Sequence, residues 1–207
     1  MQAAIFDFDG TLVDSRSGIK TVMDTLAHEH GTPKLSYEQL DELRSLPLRE
    51  RLKRIGVKPR ALPVLTRRAL QLFGDMMHEF PVYDGIPEVL EELRAAGVQT
   101  HILSSNKVEN IRSCLDANDI GGFASIQSSR GLFGKPGRIR SLLKRLRLPP
   151  DSVIYIGDEL RDIEASRRSG VPVAAVTWGY DSATLLEQGR PDYLVYRPCE
   201  LIPIIVS

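Results

Sequence analysis

The sequence is poor in cysteine and has no excess of charge of either sign. Its 207 residues include 27 lysines and arginines against 27 aspartates and glutamates. A neutral chain has no electrostatic reason to bind nucleic acid or an anionic membrane surface. The two cysteines, Cys114 and Cys199, are far apart in the sequence. We therefore expect buried thiols in a reducing compartment rather than a disulfide.

Long hydrophobic runs are also missing. Asp7 and Asp9 interrupt the apolar run at the N-terminus, which argues against a secretory leader. The late apolar stretch at residues 201–206 contains Pro203 and is too short to cross a bilayer. These absences predict a cytoplasmic protein with no membrane partner. The content of hydrophobic residues, 42%, and of charged residues, 26%, is ordinary for a globular fold.

The spacing of apolar residues divides the chain into two parts. Residues 2–6 are predicted to form a strand, and the pattern at residues 15–81 is helical. Helices and strands alternate after this segment, which predicts a parallel sheet with right-handed crossovers. The predicted strands of this later part are residues 99–103, 123–127, 153–156, 171–176 and 193–195. We therefore predict an α/β fold. Residues 1–14 and 82–207 form a Rossmann-like core with helices on both faces of a parallel sheet, and residues 15–81 form a small all-helical domain.

Two aspartates follow the first predicted strand. Asp7 and Asp9 precede Gly10 and Thr11, and a carboxylate at the end of a buried strand is unfavourable unless it is paired or binds a metal. Ligands of open α/β sheets bind at the carboxyl ends of the strands. The alternative is an ordinary turn, because Asp-Gly is a common turn dipeptide.

Further polar residues follow later strands or precede helices. Ser105 and Asn106 come directly after a predicted strand, although such residues often only cap a helix. Lys135 precedes a helix, where a lysine is usually solvated. Asp158 ends a strand, and Asp162 lies four residues later, where it would also suit the dipole of the next helix. Taken singly, each of these residues leaves the simpler interpretation open.

Taken together, these residues indicate one site. They lie at the carboxyl ends of parallel strands or in the loops that follow, and those ends meet at one edge of a sheet. Several carboxylates in one pocket repel one another, and a hard divalent cation such as Mg²⁺ would relieve that repulsion while binding a substrate phosphate. Lys135 and Ser105 would supply a charge and a hydroxyl donor for phosphate oxygens. This set is typical of phosphoryl transfer.

The same residues resemble the four motifs of the haloacid-dehalogenase-like (HAD-like) hydrolase superfamily. In order and spacing, these motifs are Asp7-Phe8-Asp9-Gly10-Thr11, Ser105-Asn106, Lys135-Pro136 and Gly157-Asp158-x-x-x-Asp162. Residues 7–15, the Asn106-Lys107 pair and residues 176–180 most resemble the phosphoglycolate phosphatase-like branch. The resemblance implies a HAD-like core in which residues 15–81 are a helical cap domain inserted after the first motif.

The resemblance also implies a role for each acidic residue. Asp7 would be the nucleophile that forms an aspartyl-phosphate, and Asp9 would be the general acid and then the general base. Mg²⁺ would be held by Asp7, by Asp158 and by the backbone carbonyl of Asp9. Asp162 would support this metal site or orient the catalytic Lys135.

Substrate contacts are implied for residues in both parts of the chain. Thr11, Ser105 and Asn106 would bind the phosphoryl group from the core. In the helical segment, Arg44 and Arg49 lie where relatives often carry a substrate loop, and either would suit a substrate carboxylate. The alternative is that both are ordinary solvated arginines. The resulting expectation is a Mg²⁺-dependent phosphatase for a small, phosphoglycolate-like metabolite, working as a monomer or homodimer.

Other activities share this set of residues. A sugar-phosphate mutase or a pyrophosphatase of the same superfamily would use the same motifs. A phospho-accepting signalling domain also uses clustered Asp, Ser or Thr, and Lys. Such domains place the phosphorylated Asp on a middle strand and have no helical insertion after the first strand.

Overall fold

The computed structural model of the chain describes residues 1–129 and 134–206. In these residues six strands form one sheet. The strands are β1 (Ala3–Phe6), β2 (Gln99–Ser104), β3 (Ser125–Ser128), β4 (Val153–Gly157), β5 (Val173–Val176) and β6 (Tyr193–Val195). Their order is β3-β2-β1-β4-β5-β6, and every neighbouring pair is parallel. The predicted parallel α/β fold is therefore confirmed, with β1 in the interior of the sheet.

Ten helices accompany the sheet in the part of the chain that is described. Those between β1 and the remaining strands begin with α1 (Arg16–Glu29), α2 (Tyr37–Arg44), α3 (Leu48–Arg54) and α4 (Leu62–Met76). The others are α5 (Ile86–Ala95), α6 (Val108–Ala117), α7 (Lys135–Leu146), α8 (Leu160–Arg167), α9 (Ala183–Gln188) and α10 (Leu201–Val206). We call residues 15–81 the helical insertion, because no strand of the sheet falls within this fully described segment.

The predicted strand boundaries lie within two residues of the observed ones. The start of α7 differs more, because Lys135 and Pro136 already belong to the helix. Proline is tolerated in the first helical turn, where its missing N–H would have no partner within the helix. Near the end of the predicted helical segment, α4 stops at Met76 and a 3₁₀ turn at Met77–Glu79 follows.

Both faces of the sheet are covered by helices, which explains why the strands are apolar at almost every position. Ala4 and Phe6 of β1 belong to an apolar layer shared with α5, α6 and α10. Ala3 and Ile5 belong to the opposite layer, shared with α7, α8 and α9. The sheet is therefore held rigidly between two cores, and its carboxyl edge is a fixed platform.

The helical insertion leaves and rejoins the core at one place. The Asp14 N–H donates to the Pro81 carbonyl at 2.8 Å, and the Tyr83 N–H donates to the Leu12 carbonyl at 3.0 Å. The two connecting segments therefore run side by side as a short ribbon. This ribbon fixes where the insertion meets the carboxyl edge of the sheet.

The cysteines differ in their surroundings. Cys114 is buried as predicted, but Cys199 is exposed, because it lies in the surface 3₁₀ turn Pro198–Glu200. Both are free thiols. In the described ranges, no helix combines the length and the apolar character needed to cross a membrane.

Candidate active site

Two neighbouring strands end in aspartates at the carboxyl edge of the sheet. Asp7 follows β1 and Asp158 follows β4. The register pairs Phe6 with Ile156, so the two aspartates leave the sheet next to each other. The Asp7 N–H donates to the Ile156 carbonyl at 2.8 Å, which continues the pairing of the two strands by one residue. Parallel pairing of buried strands therefore brings these two carboxylates together.

Three carboxylates and one lysine form the centre of the site. Oxygens of Asp7, Asp158 and Asp162 lie within 4.8 Å of one another. The Lys135 ammonium donates to Asp7 Oδ2 at 2.5 Å and to Asp162 Oδ1 at 2.5 Å. All four side chains are buried, since none of these residues is more than 2% exposed. The structure thus brings together four of the residues that the sequence analysis selected.

Burial sets the protonation behaviour of this cluster. It raises the pKa of Asp7 above its ordinary value, and the Lys135 ammonium opposes the rise. Burial raises the pKa of Asp158 well above its ordinary value, and the carboxylates of Glu159 and Asp7 add to this. Burial also raises the pKa of Asp162 to about 6, against the opposing effect of Lys135. Burial alone would lower the pKa of Lys135, but Asp162 and Asp7 raise it, so the lysine stays charged.

Asp158 is held from two sides. Its Oδ1 accepts from the Thr11 hydroxyl at 2.8 Å, and its Oδ2 accepts from the Tyr180 N–H at 2.7 Å. A Cβ at Gly10 or at Gly179 would lie 2.3 Å from an Asp158 side-chain atom, so both positions require the absence of a side chain. Gly10 also has a φ of +76°, which favours glycine. The substrate contact expected of Thr11 stays a prediction; its observed contact is with Asp158.

Asp9 lies apart from this cluster, next to the end of β2. Its Oδ2 accepts from the Asn106 amide at 3.1 Å and from the Ser104 hydroxyl at 3.5 Å. Its Oδ1 is buried and has no hydrogen-bond partner among the described residues. Burial raises the pKa of Asp9, and the hydrogen bond from Asn106 opposes the rise. A raised pKa favours the protonated form, which a general acid needs.

The segment after β2 presents polar groups towards Asp9. Ser105 is half-buried in a bend, and Asn106 is 2% exposed. The Asn106 oxygen accepts from the Lys107 N–H at 2.8 Å and from the Asn110 amide at 2.9 Å. These bonds orient the Asn106 amide nitrogen towards Asp9. Neither Ser105 nor Asn106 is the N-cap of α6, because that position is held by Lys107, which makes no side-chain capping hydrogen bond.

Tyr155 is a site residue that sequence reasoning missed. Its hydroxyl donates to the Leu103 carbonyl at 3.2 Å and to Asp162 Oδ1 at 3.4 Å, and Lys135 Nζ lies 5.6 Å from its ring centroid. Tyr155 thus contacts both members of the Lys135–Asp162 pair and helps to hold them in place. A tyrosine inside a continuously apolar strand gives no sequence signal of this role.

The two predicted arginines of the helical insertion have different surroundings. The Arg44 guanidinium donates to the carbonyls of Tyr180 at 3.1 Å and Gly179 at 3.2 Å, so protein acceptors already engage it. Arg49 is exposed and lines a cleft of about 210 Å³ between the insertion and the start of α8. Glu159 and Arg161 line the opposite wall of this cleft. Of the two arginines, Arg49 lines this cleft and Arg44 does not.

The central cluster suits a divalent cation. Its three buried carboxylates offer oxygen ligands, which are the donors that Mg²⁺ prefers. A cation among them would offset the burial and mutual repulsion that raise their pKa values. The donor set therefore fits the metal that the sequence analysis implies.

Comparisons with known proteins agree with this geometry. A family model described as haloacid dehalogenase-like hydrolase matches residues 4–176. The chain is 32% identical to a phosphoglycolate phosphatase of Synechococcus elongatus, over 100% of this chain and 98% of that protein. It is 27% identical to the pyrophosphatase PpaX of Bacillus velezensis, over 98% of this chain and 95% of that protein.

A solved structure shows the same fold. The crystal structure of a predicted phosphatase from Clostridium acetobutylicum is similar to this chain with a TM-score of 0.85. The similarity covers 99% of this chain and 98% of that chain, at 24% sequence identity. On the match to most of its length and on the arrangement of its acidic residues, the chain belongs to the haloacid dehalogenase-like hydrolase family.

Proposed function

We propose that the protein is a Mg²⁺-dependent phosphatase that hydrolyses a small phosphomonoester through an aspartyl-phosphate. One observation carries the proposal: Asp7 lies buried between Lys135 and two further carboxylates at the carboxyl edge of the sheet. Family membership and the phosphoglycolate phosphatase relative support this activity.

Asp7 would act as the nucleophile. Its Oδ1 accepts from the Phe8 N–H at 2.8 Å and its Oδ2 from Lys135, which together fix the plane of the carboxylate. Attack of an Asp7 oxygen on phosphorus forms the aspartyl-phosphate and releases the alcohol. Lys135 would then neutralise charge on the bound phosphoryl oxygens, while Ser105 and Asn106 donate hydrogen bonds to them.

Asp9 would transfer the protons. Its raised pKa suits donation of a proton to the departing alcohol oxygen, which leaves Asp9 as a carboxylate. That carboxylate would then remove a proton from the water that attacks the aspartyl-phosphate. The buried Oδ1, which has no partner among the described residues, is the atom available for these transfers.

The proposed metal ligands are Asp7, Asp158, the Asp9 backbone carbonyl and Asp162. When bound, Mg²⁺ would neutralise charge on the substrate phosphate and on the carboxylates around it. Because Asp162 Oδ1 already accepts from Lys135, its support of the site includes holding that lysine. Thr11 would keep Asp158 in place and lie beside the bound substrate.

The helical insertion would act as a cap domain, with the core at residues 1–14 and 82–207. All the groups with a proposed role in chemistry lie in the core, whereas the insertion forms one wall of the cleft. A cap that closes over the site would exclude water and select the substrate. The S. elongatus relative favours phosphoglycolate, whose carboxylate Arg49 would bind, with Arg44 at the adjacent loop.

A pyrophosphatase is the second candidate, because the PpaX relative covers nearly the whole chain. A phospho-accepting signalling domain fits less well. In this chain Asp7 follows the first strand in the sequence rather than a middle one. The helical insertion comes after that same strand, where signalling domains have none.

A substrate panel separates these activities. Purified protein with Mg²⁺ should release phosphate from phosphoglycolate faster than from sugar phosphates or pyrophosphate, lose activity in EDTA and be inhibited by Ca²⁺. Calcium accepts a looser coordination and would misplace the phosphate relative to Asp7. Faster release from pyrophosphate would favour the second candidate, and a stable phosphoprotein without turnover would contradict both.

A further inference from the structure

The loop after β5 lies between Asp158 and the helical insertion. We call residues 179–182 the bridging loop. On its inner side, the Tyr180 N–H donates to Asp158 Oδ2 at 2.7 Å, and the Asp181 N–H donates to the Asp158 carbonyl at 3.3 Å. Gly179 packs directly against the Asp158 side chain. The position of the bridging loop therefore sets the position of Asp158.

The corner between α2 and α3 holds the outer side of the bridging loop. Arg44 donates to two of its carbonyls, as described above. The Ser182 N–H in turn donates to the Arg44 carbonyl at 3.0 Å. The Ser45 and Ser182 hydroxyls are 3.3 Å apart. The loop is thus bound to the insertion through its backbone at both ends.

An ion pair between Arg51 and Asp181 lies at the centre of this contact. The side chains are 15% and 3% exposed, so the pair is largely shielded from water. Arg51 also donates to the Leu46 carbonyl at 2.6 Å, which fixes its guanidinium at the corner. The other Asp181 oxygen accepts from the Leu160 N–H at 2.6 Å. Asp181 therefore joins α3 of the insertion to the first residue of α8, the helix that carries Asp162.

These contacts form a continuous connection from the insertion to two of the clustered carboxylates. Arg51 reaches Asp162 through Asp181 and the start of α8, and it reaches Asp158 through the bridging loop. Loss of the Arg51 charge would leave the Asp181 carboxylate buried beside Glu159, an arrangement that favours separation of the insertion from the loop.

We propose that Arg51 and Asp181 are a positioning pair that holds the helical insertion against the bridging loop and thereby keeps Asp158 and Asp162 in their metal-binding arrangement. This inference rests on the proposed function only through the metal. A cation bound by the carboxylates then favours the state in which the insertion lies against the bridging loop. That state in turn raises the affinity for the cation by the same factor.

Binding of Mn²⁺ alone tests the pair without any substrate. Arg51→Met removes the charge but keeps an extended side chain, and Mn²⁺ affinity can be measured from the paramagnetic resonance signal of the free ion. We expect the affinity to fall about 5- to 30-fold, within the usual range of coupling between sites. Arg54→Met is the matched control. Arg54 is on the same helix and pairs with Glu42 at 3.4 Å, but both side chains are more than 60% exposed, so we expect a change of less than about twofold.

Hydrogen exchange and charge reversal separate positioning from general loss of structure. Without metal, Arg51→Met should speed exchange at residues 44–54 and 179–182 and leave β4 unchanged. The double variant Arg51→Asp with Asp181→Arg should recover part of the lost Mn²⁺ affinity. If Arg51→Met does not fold, Arg51→Lys tests the geometry of the pair instead of its charge. Lysine keeps the charge but cannot contact Asp181 and the Leu46 carbonyl with separate nitrogens as Arg51 does, so we expect a smaller fall in Mn²⁺ affinity.

Several outcomes would overturn the inference. One is wild-type Mn²⁺ affinity in the folded Arg51 variant, and another is an equal loss of affinity in Arg54→Met. Failure of the wild-type protein to bind Mn²⁺ would remove the metal site itself. A protein that binds Mn²⁺ as expected but hydrolyses no phosphomonoester would contradict the proposed function and leave the positioning pair intact.

Discussion

The sheet and the helical insertion are stabilised in different ways. Every residue of β1, β4 and β5 is buried, whereas α3 and α4, which are described throughout, contain no fully buried residue. The sheet therefore gains its stability from apolar burial on both faces. The outer helices of the insertion bury less apolar surface: Phe73 and Met76 of α4 pack against the core but are only partly buried.

Their ion pairs show the same contrast. The pairs of Lys135 with Asp7 and Asp162 are almost fully buried. In the insertion, the Arg68–Glu29 pair has side chains that are 36% and 33% exposed, and such pairs contribute little to stability. Arg51 is an exception within the insertion, because its partner belongs to the core. Apart from the Arg51 contact, the insertion is therefore held by more exposed ion pairs than the core.

Removing the nucleophile should have the largest effect. Asp7→Asn keeps the shape of the side chain but is a poor nucleophile, so we expect kcat to fall by at least about 10⁴-fold. Thermal unfolding should show an intact fold. Residual activity within tenfold of wild type would contradict the assignment of Asp7.

Asp9→Asn should reduce kcat by about 10²- to 10⁴-fold, the usual contribution of a general acid or base. The loss should be smaller for aryl phosphates, whose leaving groups need less protonation, than for alkyl phosphates. Steady-state kinetics with one substrate of each kind gives this ratio. Equal losses for both would argue against an acid role.

Shortening a side chain should lower the free energy of unfolding more in the core than in the insertion. Ile154→Ala in β4 removes a fully buried side chain, and we expect a loss of about 2–5 kcal/mol in the free energy of unfolding. Val64→Ala in α4 changes a residue that is 68% exposed and should stay within about 0.5 kcal/mol of wild type. Urea unfolding measures both. Equal losses would show that the insertion is held as firmly as the sheet.

Among the substitutions expected to change activity, Arg49→Ala should have the smallest effect. If Arg49 binds a substrate carboxylate across the cleft, its loss should raise KM for phosphoglycolate roughly tenfold, the worth of one charge-assisted hydrogen bond. The KM for p-nitrophenyl phosphate, which has no carboxylate, should hardly change. A parallel loss with both substrates would assign Arg49 to holding the insertion instead.

The sequence predicts the platform because local patterns determine it. Apolar runs that stop at Asp7 and Asp158 mark buried strands with their carboxylates at one edge, and parallel pairing then brings the two together. The start of α7 at Lys135 was missed because proline obscures a helix that it in fact begins. Tyr155 was missed because its role depends on a hydroxyl inside an apolar strand.

Contacts across the insertion are harder to predict from sequence. Arg51 and Asp181 are 130 residues apart, and no periodicity links a helical arginine to a loop aspartate at that separation. Only the packing of the α2–α3 corner on the bridging loop brings the two residues together. The roles of Arg44 and Arg49 stay predictions for the same reason, since they depend on where the insertion lies.

The ribbon that joins the two parts has an evolutionary consequence. Because its strands are hydrogen-bonded to each other at Asp14–Pro81 and Tyr83–Leu12, the ends of the inserted segment lie side by side. A short turn would close the same gap, so one gene rearrangement can exchange or delete the whole segment while leaving the register of β1 unaltered. If the insertion selects the substrate as proposed, substrate preference and reaction chemistry can be inherited separately. A chimaera with a foreign segment grafted at this ribbon is then expected to keep the hydrolytic step only where that segment also supplies a partner for Asp181.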